Sequence, residues 1–469
     1  METSSEIQPS FFSRAFWREF YYRPCGAREV LRLALPIVVS AGTVALMNSA
    51  DRVYLSWYDP TAMNAAFQSG CLLWALITFP TAIAAYVNAF VAQYYGARQN
   101  GRIGTIVWQG VFFGFVFGLL FLAATPLVGP TFRALGATYS DSVLEQEYWF
   151  YFCLGACASI GHEPLSAFFS GRGEMKTVMV MGISAVVLNM VLDPLLIFGI
   201  GGHFRMGLAG AALASALSLW FKFLVYAWLV WKRDRENEFC FRRGWSLNWS
   251  EMKRLLRYGS MSGVQGTIEN SFFTAFILIM GYFGETESAA TAIAFNLNFL
   301  MLIPIFGMGI ATTTMVGNQV GAQNMKLASR AAYTTVTLAC AFASLFVIAF
   351  LTVPDFFLDI YMGRTPEKFV EIRPLARNLL QIVAVYLLAD TVNAIFAAAL
   401  RGAADTRFIM IATLSVSIPI LAITFIGVRF FGMRVYWCWG WQTSYLFISG
   451  AVFCARFMLG KWKGKSLTR

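Results

Sequence analysis

Three observations predict an all-α integral membrane protein of twelve transmembrane helices, arranged as two parallel six-helix lobes. They are a greasy, charge-poor composition, twelve apolar segments of membrane-crossing length, and two motifs that recur in the same order in each half.

The 469 residues are 58% hydrophobic and 13% charged, with a mean hydropathy of +0.60. Soluble domains are roughly 45–50% apolar and about 25% charged, so this chain belongs in a bilayer. Crossing about 30 Å of hydrocarbon takes about 20 apolar residues as helix, because lipid offers exposed backbone N–H and C=O groups no partner. Such segments run near 32–56, 62–88, 104–128, 147–168, 177–201, 207–231, 258–281, 288–315, 329–353, 378–400, 408–430 and 435–458. The arm before the first is aromatic and of mixed charge and lacks the apolar core of a signal peptide.

Basic residues flanking membrane helices are held on the cytoplasmic side. Of the 36, 26 fall in the N-terminal arm, the even-numbered loops and the C-terminal tail, and 8 in the odd-numbered loops; Arg52 and Lys222 lie inside helices. Both termini are therefore expected in the cytoplasm, with the protein in the plasma (bacterial inner) membrane. Loops beside anionic lipid account for most of the +11 charge, so no nucleic-acid partner is implied. The eight cysteines are scattered, and Cys153 and Cys157, one helical turn apart, read as small side chains at a helix contact rather than as a metal pair.

After the second span stands VAQYYGARQNGR (91–102) and after the eighth VGNQVGAQNMKL (316–327), so Gly96-Ala97 answers Gly321-Ala322 at an offset of 225. After the fourth stands FFSGRGEMK (168–176) and at the end of the tenth AALRGAADTR (398–407), setting Gly171 against Gly402 at an offset of 231. Two echoes in one order argue for a six-plus-six duplication. An even number of spans per half makes the copies parallel, related by an axis along the membrane normal. The expected divisions are a cytoplasmic arm (1–30), an N-lobe (31–231), a charged cytoplasmic linker (232–255), a C-lobe (256–459) and a cytoplasmic tail (460–469).

Buried acids are the candidate working residues. A carboxylate at a helix centre costs about 2.5–3.5 kcal/mol on insertion scales, so it is rare unless it faces a cavity and has a partner. In VVLNMVLDPLL (187–197), Asn189 and Asp193 are i and i+4 and share a face. Asp51 lies at a similar depth in the first span. Two carboxylates and an amide can bind a small cation, Na⁺ included, through oxygen, or share a proton. The competing reading pairs Asp51 with the adjacent Arg52 and makes Asp193 the cap of a kink before Pro194. Glu269 and Asp390 lie about midway along the seventh and tenth spans, and Tyr386, one turn from Asp390, can offer a hydroxyl or an aromatic face, which suits a positively charged ligand or a hydrogen-bonded carboxylate. The competing reading there is a pair of helix contacts satisfied by neighbouring amides. His162-Glu163 matches no signature, and Glu163 reads as a snorkelling or interhelical pair.

ALPIV (34–38), Asp51, VAQYYGA (91–97), FFSGRGEMK (168–176), LNMVLDPLLIFG (188–199), MGLAGAALASALS (206–218) and LRGAADTR (400–407) resemble, in order, the signatures of the multidrug and toxic compound extrusion (MATE) transporters, NorM-like branch. The resemblance implies a coupling-cation site in the N-lobe at Asp51, Asn189 and Asp193, with a hydroxyl at Ser215, and a coupling or substrate site in the C-lobe at Glu269, Tyr386 and Asp390. It also implies efflux of lipophilic, mainly cationic compounds in exchange for H⁺ or Na⁺ by alternating access, with no further cofactor. The sequence departs from the family pattern at Arg52 and at Ser170.

A dedicated metabolite exporter and a lipid-linked-sugar flippase of the same wider superfamily are the alternatives; a flippase is expected to need a broad cationic cavity, which two intrahelical basic residues do not supply. A membrane enzyme would bring a His, Ser or metal constellation, and the chain has only His162 and His203. The expected partners are small-molecule substrates and membrane lipids. Nothing in the sequence addresses oligomeric state, and a monomer is the working expectation.

Overall fold

The computed structural model describes residues 14–58, 60–134, 139–199, 205–234, 238–360 and 366–468. His203 lies outside these, as does the side chain of Arg52 and with it the Asp51–Arg52 pairing considered above.

A short α1 (Arg14–Tyr22) precedes the N-lobe. Its six spans are α2 (Ala27–Tyr58), α3 with α4 (Pro60–Ala85, Val87–Gly96), α5 (Ile103–Ala123), α7 with α8 (Tyr139–Leu154, Ala156–Ser170), α9 (Met175–Ile197) and α10 (Gly207–Arg233), with α6 (Thr125–Ala134) between α5 and α7. The C-lobe is α11 (Trp249–Gly281), α12 (Glu285–Gly321), α13 (Met325–Thr352), α15 (Pro366–Gly402), α16 (Thr406–Phe431) and α17 (Val435–Met458), with a single turn α14 (Pro354–Asp359) after α13. Twelve spans in two lobes match the predicted architecture.

Among the described residues, eight helices are long and apolar enough to cross a membrane by length and composition. The charges of α2 lie toward its ends, outside the uncharged stretch 33–50, and α11 starts at Trp249 instead of near 258, with Gln265, Glu269 and Asn270 interrupting its apolar part. The fourth span is split at Gly155, and α17 carries three Trp, two Tyr and Gln442. The interruption at Tyr86 has no mark in the surrounding residues either. Pro194 does not end α9, which runs on to Ile197 before the Phe198 N–H closes back on the Pro194 carbonyl at 3.2 Å.

An even span count puts both chain ends on one side, the terminal face, and the lobes meet in the halves of their helices nearest it. α2 packs on α12, and α3 packs on α11. Val30, Leu33, Ala34 and Ile37 of α2 join a C-lobe core with Leu302, Ile305 and Met308, while Tyr86, Phe90, Tyr94, Trp108, Phe168 and Phe241 build the N-lobe core.

The two repeated motifs form the seam at that face. Gly96 of α4 lies against the Asn318 backbone of α12, and Gly321 of α12 lies against the Gln93 backbone of α4, neither with room for a Cβ. Hydrogen bonds cross beside them: Asn88 Nδ2 to Thr314 Oγ1 at 3.3 Å, Tyr86 OH to the Arg401 carbonyl at 3.2 Å, and Gln93 Nε2 to the Gly402 carbonyl at 2.8 Å.

The segment after α17 folds back under this seam. Trp462 and Leu467 are fully buried, the Leu467 N–H donates to Gln93 Oε1 at 2.6 Å, and Arg254 donates to the Leu467 carbonyl. Asp405, fully buried, accepts from Arg456 at 2.9 Å and from Lys465. The interlobe linker is held too. Asp234 accepts the backbone N–H groups of Phe239 and Phe241 at 2.9 and 2.7 Å, and Asn248 caps α11 by accepting from Ser250 and Glu251.

Candidate functional site

The predicted residues form two groups, one in each lobe. In the N-lobe, α9 carries Asn189 and Asp193 on one face, both fully buried. Asn189 Nδ2 reaches Asp193 Oδ1 at 3.4 Å and, across to α10, Ser215 Oγ at 3.4 Å. Asp51 comes from α2 to within hydrogen-bonding range of Asp193. Two carboxyl groups approach this closely only with a proton or a cation between them. Asn189 Oδ1 is buried with no hydrogen-bond partner, leaving a free acceptor at the same spot. The structure thus brings Asp51, Asn189, Asp193 and Ser215 together. It adds Tyr148 of α7, which stands beside both carboxyls. Nothing in the sequence marked that tyrosine, one of 18.

In the C-lobe, Glu269 (α11), Tyr386 and Asp390 (α15) line a cavity of about 580 Å³. Glu269 Oε1 accepts from Gln265 Nε2 at 3.0 Å, and Asn393 bonds Asp390 from the same helix. The Tyr386 hydroxyl and the side-chain oxygens of Asn298 and Gln442 are buried without hydrogen-bond partners. Phe272, Phe273, Phe295, Phe299 and Tyr445 supply apolar wall, and the N-lobe closes the cavity with Ala82, Ala85, Tyr86, Asn88 and Ala89. A concave chamber with aromatic walls interspersed with amides, two acids and a guanidinium is suited to a small organic molecule.

Arg401 corrects one expectation. The sequence tally placed it among the loop cations, yet it lines the cavity, close to Glu269 and Tyr86. Of the two acids in the chamber, Glu269 therefore faces a guanidinium. The signal was present in LRGAADTR, but a residue at a helix end reads from sequence as loop-facing.

Two lobes of parallel membrane helices, with a chamber at their interface and a second acidic site inside one lobe, are the anatomy of a secondary transporter. The MatE family profile matches residues 36–195 and 262–426, one stretch in each lobe. The chain belongs to the MatE family. A probable multidrug resistance protein NorM of Thermotoga maritima is 26% identical over 449 residues, covering 94% of each chain. The multidrug resistance protein NorM of Burkholderia vietnamiensis is 26% identical over 439 residues, covering 93% of this chain and 90% of that one. Among solved structures, the fold is shared with an outward-facing multidrug resistance MATE family transporter (TM-score 0.82, 21% identity, covering 94% of this chain and 97% of that one). It is also shared with a MOP superfamily transporter from Pyrococcus furiosus (TM-score 0.83, 20% identity, covering 96% and 98%).

Proposed function

We propose that this chain is a secondary active multidrug efflux antiporter of the plasma membrane, exporting lipophilic, mainly cationic compounds in exchange for H⁺ or Na⁺. The observation that carries this reading is the separation of two acidic sites. Glu269 and Asp390 lie in an aromatic chamber large enough for an organic cation, whereas Asp51 and Asp193 are set apart inside the N-lobe with a buried free acceptor beside them. The NorM relatives are named multidrug resistance proteins, which supports multidrug efflux.

With the terminal face cytoplasmic, the lobes are joined on the inside, an arrangement that offers the chamber to the outside. Cation loading at the N-lobe and drug binding at the chamber would favour opposite arrangements of the lobes. A membrane potential of about 100 mV is worth about 2.3 kcal/mol per charge moved, and each pH unit about 1.4 kcal/mol, enough to shift a shared equilibrium by roughly two to three decades. Arg401 supports a second reading, a dedicated exporter of a metabolite carrying an anionic group.

Proteoliposomes loaded with a lipophilic cationic dye, under a pH or a sodium gradient imposed separately, test the proposal. Dye movement driven by one gradient and lost in Asp193→Asn identifies antiport and its ion. Movement under neither gradient overturns the polyspecific reading in favour of a dedicated substrate.

A further inference from the structure

The N-lobe holds ionisable side chains that neither site uses. α8 is buried along almost its whole circumference, and the residues that keep partial access are Ser159, Glu163 and Ser166, at i, i+4 and i+7. They form one stripe. Ser170, the next residue on it, donates to Asn88 Oδ1 at 2.9 Å. A stripe left open to lipid would be apolar, because hydrocarbon solvates neither hydroxyls nor carboxylates; this one is polar from end to end.

α10 completes the lining. Its exposed Leu217, Phe221, Leu224 and Trp228 face outward, and Ser215, Lys222 and Tyr226, at i, i+7 and i+11, occupy the opposite side. Lys222 Nζ lies 2.6 Å from His162 Nε2, and Glu163 Oε1 lies 3.9 Å from His162 Nδ1. Tyr226 OH donates to Ser166 Oγ at 3.5 Å. Two cations cannot sit 2.6 Å apart, so the lysine N–H donates to a neutral imidazole and leaves Nδ1 on the Glu163 side. Glu163 thus belongs to an interhelical cluster and does not snorkel. The charged and titratable groups around His162 are Lys222 from α10 and Glu163 from its own helix, with Tyr226 beside Glu163; α5 presents Phe115.

The same face of α10 connects this cluster to the acidic pair. Ser215 touches Asn189, and the seven residues from Ser215 to Lys222 span about 10 Å at about 1.5 Å per residue. Polar side chains therefore recur along one line from Asp51 and Asp193 past Ser215 and, about 10 Å further on, through Lys222, His162 and Glu163 to Ser166, Ser170 and Asn88 at the lobe seam.

We infer that this column is a proton path that empties the Asp51–Asp193 site toward the terminal face, with Lys222, His162 and Glu163 as carriers: as Lys222 passes a proton to His162 Nε2, Nδ1 releases its own toward Glu163, so the imidazole is never a cation beside the ammonium. This rests on the cation-coupled reading above. Each transfer breaks one O–H or N–H bond and forms another, through intervening water where the gap exceeds hydrogen-bond length, so a proton advances and no other bond changes. A sodium ion would have to pass the Lys222 ammonium, whereas a proton is relayed. The inference therefore assigns H⁺ as the coupling ion.

Two experiments test it. In Ser159→Cys and Ser166→Cys, reaction with a charged, membrane-impermeant methanethiosulfonate, followed by peptide mass mapping, is expected to be at least tenfold faster than in Leu224→Cys on the lipid-facing side of α10. Equal rates would overturn the path whatever the protein transports. In proteoliposomes, Glu163→Gln is expected to lower pH-driven transport at least tenfold and to shift its pH profile. Glu163→Asp should restore both, and dye binding in detergent should be unchanged. A wild type driven by the pH gradient with Glu163→Gln unaffected removes the path alone; a wild type that moves dye under neither gradient, or only under sodium, removes the coupling reading or its ion, and the proton path with it.

Discussion

Gly96 and Gly321 occupy equivalent places in one contact, each pressed on the backbone of the helix that carries the other. Gly96 meets Asn318, Gly321 meets Gln93, and the same 225-residue offset relates both glycines and both contact residues. The pseudo-twofold axis of the duplication passes through this crossing.

Gly321→Leu is therefore expected to push the lobes apart at the terminal face. Overpacking costs about 1–3 kcal/mol, and the loss in the double substitution with Gly96→Leu should exceed either single loss but fall short of their sum, because both wedge the same crossing. Thermal unfolding in detergent measures the loss. An unchanged melting temperature in both single variants would mean the crossing is not held in solution.

Asp193→Asn is expected to abolish coupled transport while the protein inserts and melts at or above the wild-type temperature. Removing one of two crowded carboxyls relieves repulsion and desolvation, and the amide keeps the hydrogen bonding with Asn189. Transport assay and melting curve together separate loss of function from loss of fold.

Asp390→Asn is expected to weaken cationic dye binding about tenfold, an effect of about 1.4 kcal/mol, in a manner partly independent of Asp193. The dye's Kd by fluorescence titration is the readout. Full activity in both Asp193→Asn and Asp390→Asn would sink the two-site arrangement.

Asp405→Ala would leave Arg456 and Lys465 facing each other without their shared, fully buried carboxylate. Both cations are partly exposed, so the loss falls below the roughly 3–5 kcal/mol of breaking a fully buried pair, and it falls on the docking of the segment after α17. Limited proteolysis should then cut near Lys461–Lys465, where the wild type resists.

Cys25 lies between α1 and α2, outside the spans, and burial together with the Glu29 carboxylate pushes its thiol up to about 12. At pH 8 its thiolate fraction is roughly a thousandfold below that of an ordinary cysteine, and alkylation by iodoacetamide should be correspondingly slow. The unfolded thiol ionises above about pH 9 while the folded one stays neutral. Its contribution to stability is thus complete below pH 9 and declines as the pH rises toward 12, which urea titrations across that range would show.

The span count, the duplication and the grouping of Asp51 with Asn189 and Asp193 were legible because each rests on a regularity along the chain: apolar length, motif offset, i and i+4 spacing for Asn189 and Asp193, and equal depth in its span for Asp51. What escaped was contact between distant helices. Tyr148 joins the carboxyls and Lys222 meets His162 only because α7, α8 and α10 pack together, and no spacing along the chain encodes that. Arg401 was misplaced for the related reason that the end of α15 reaches the chamber floor. The helix interruption at Gly155 hides behind apolar residues on both sides.

Gln93 binds partners that are made long after it. Its amide nitrogen waits for the Gly402 carbonyl, and its oxygen for the N–H of Leu467, 374 residues downstream. At about 5–20 residues per second, that is roughly 20–75 s of ribosome time. Through that interval the N-lobe sits in the bilayer with this amide lacking its native partners, and the seam is completed only when the stretch around Leu467 has emerged to reach it.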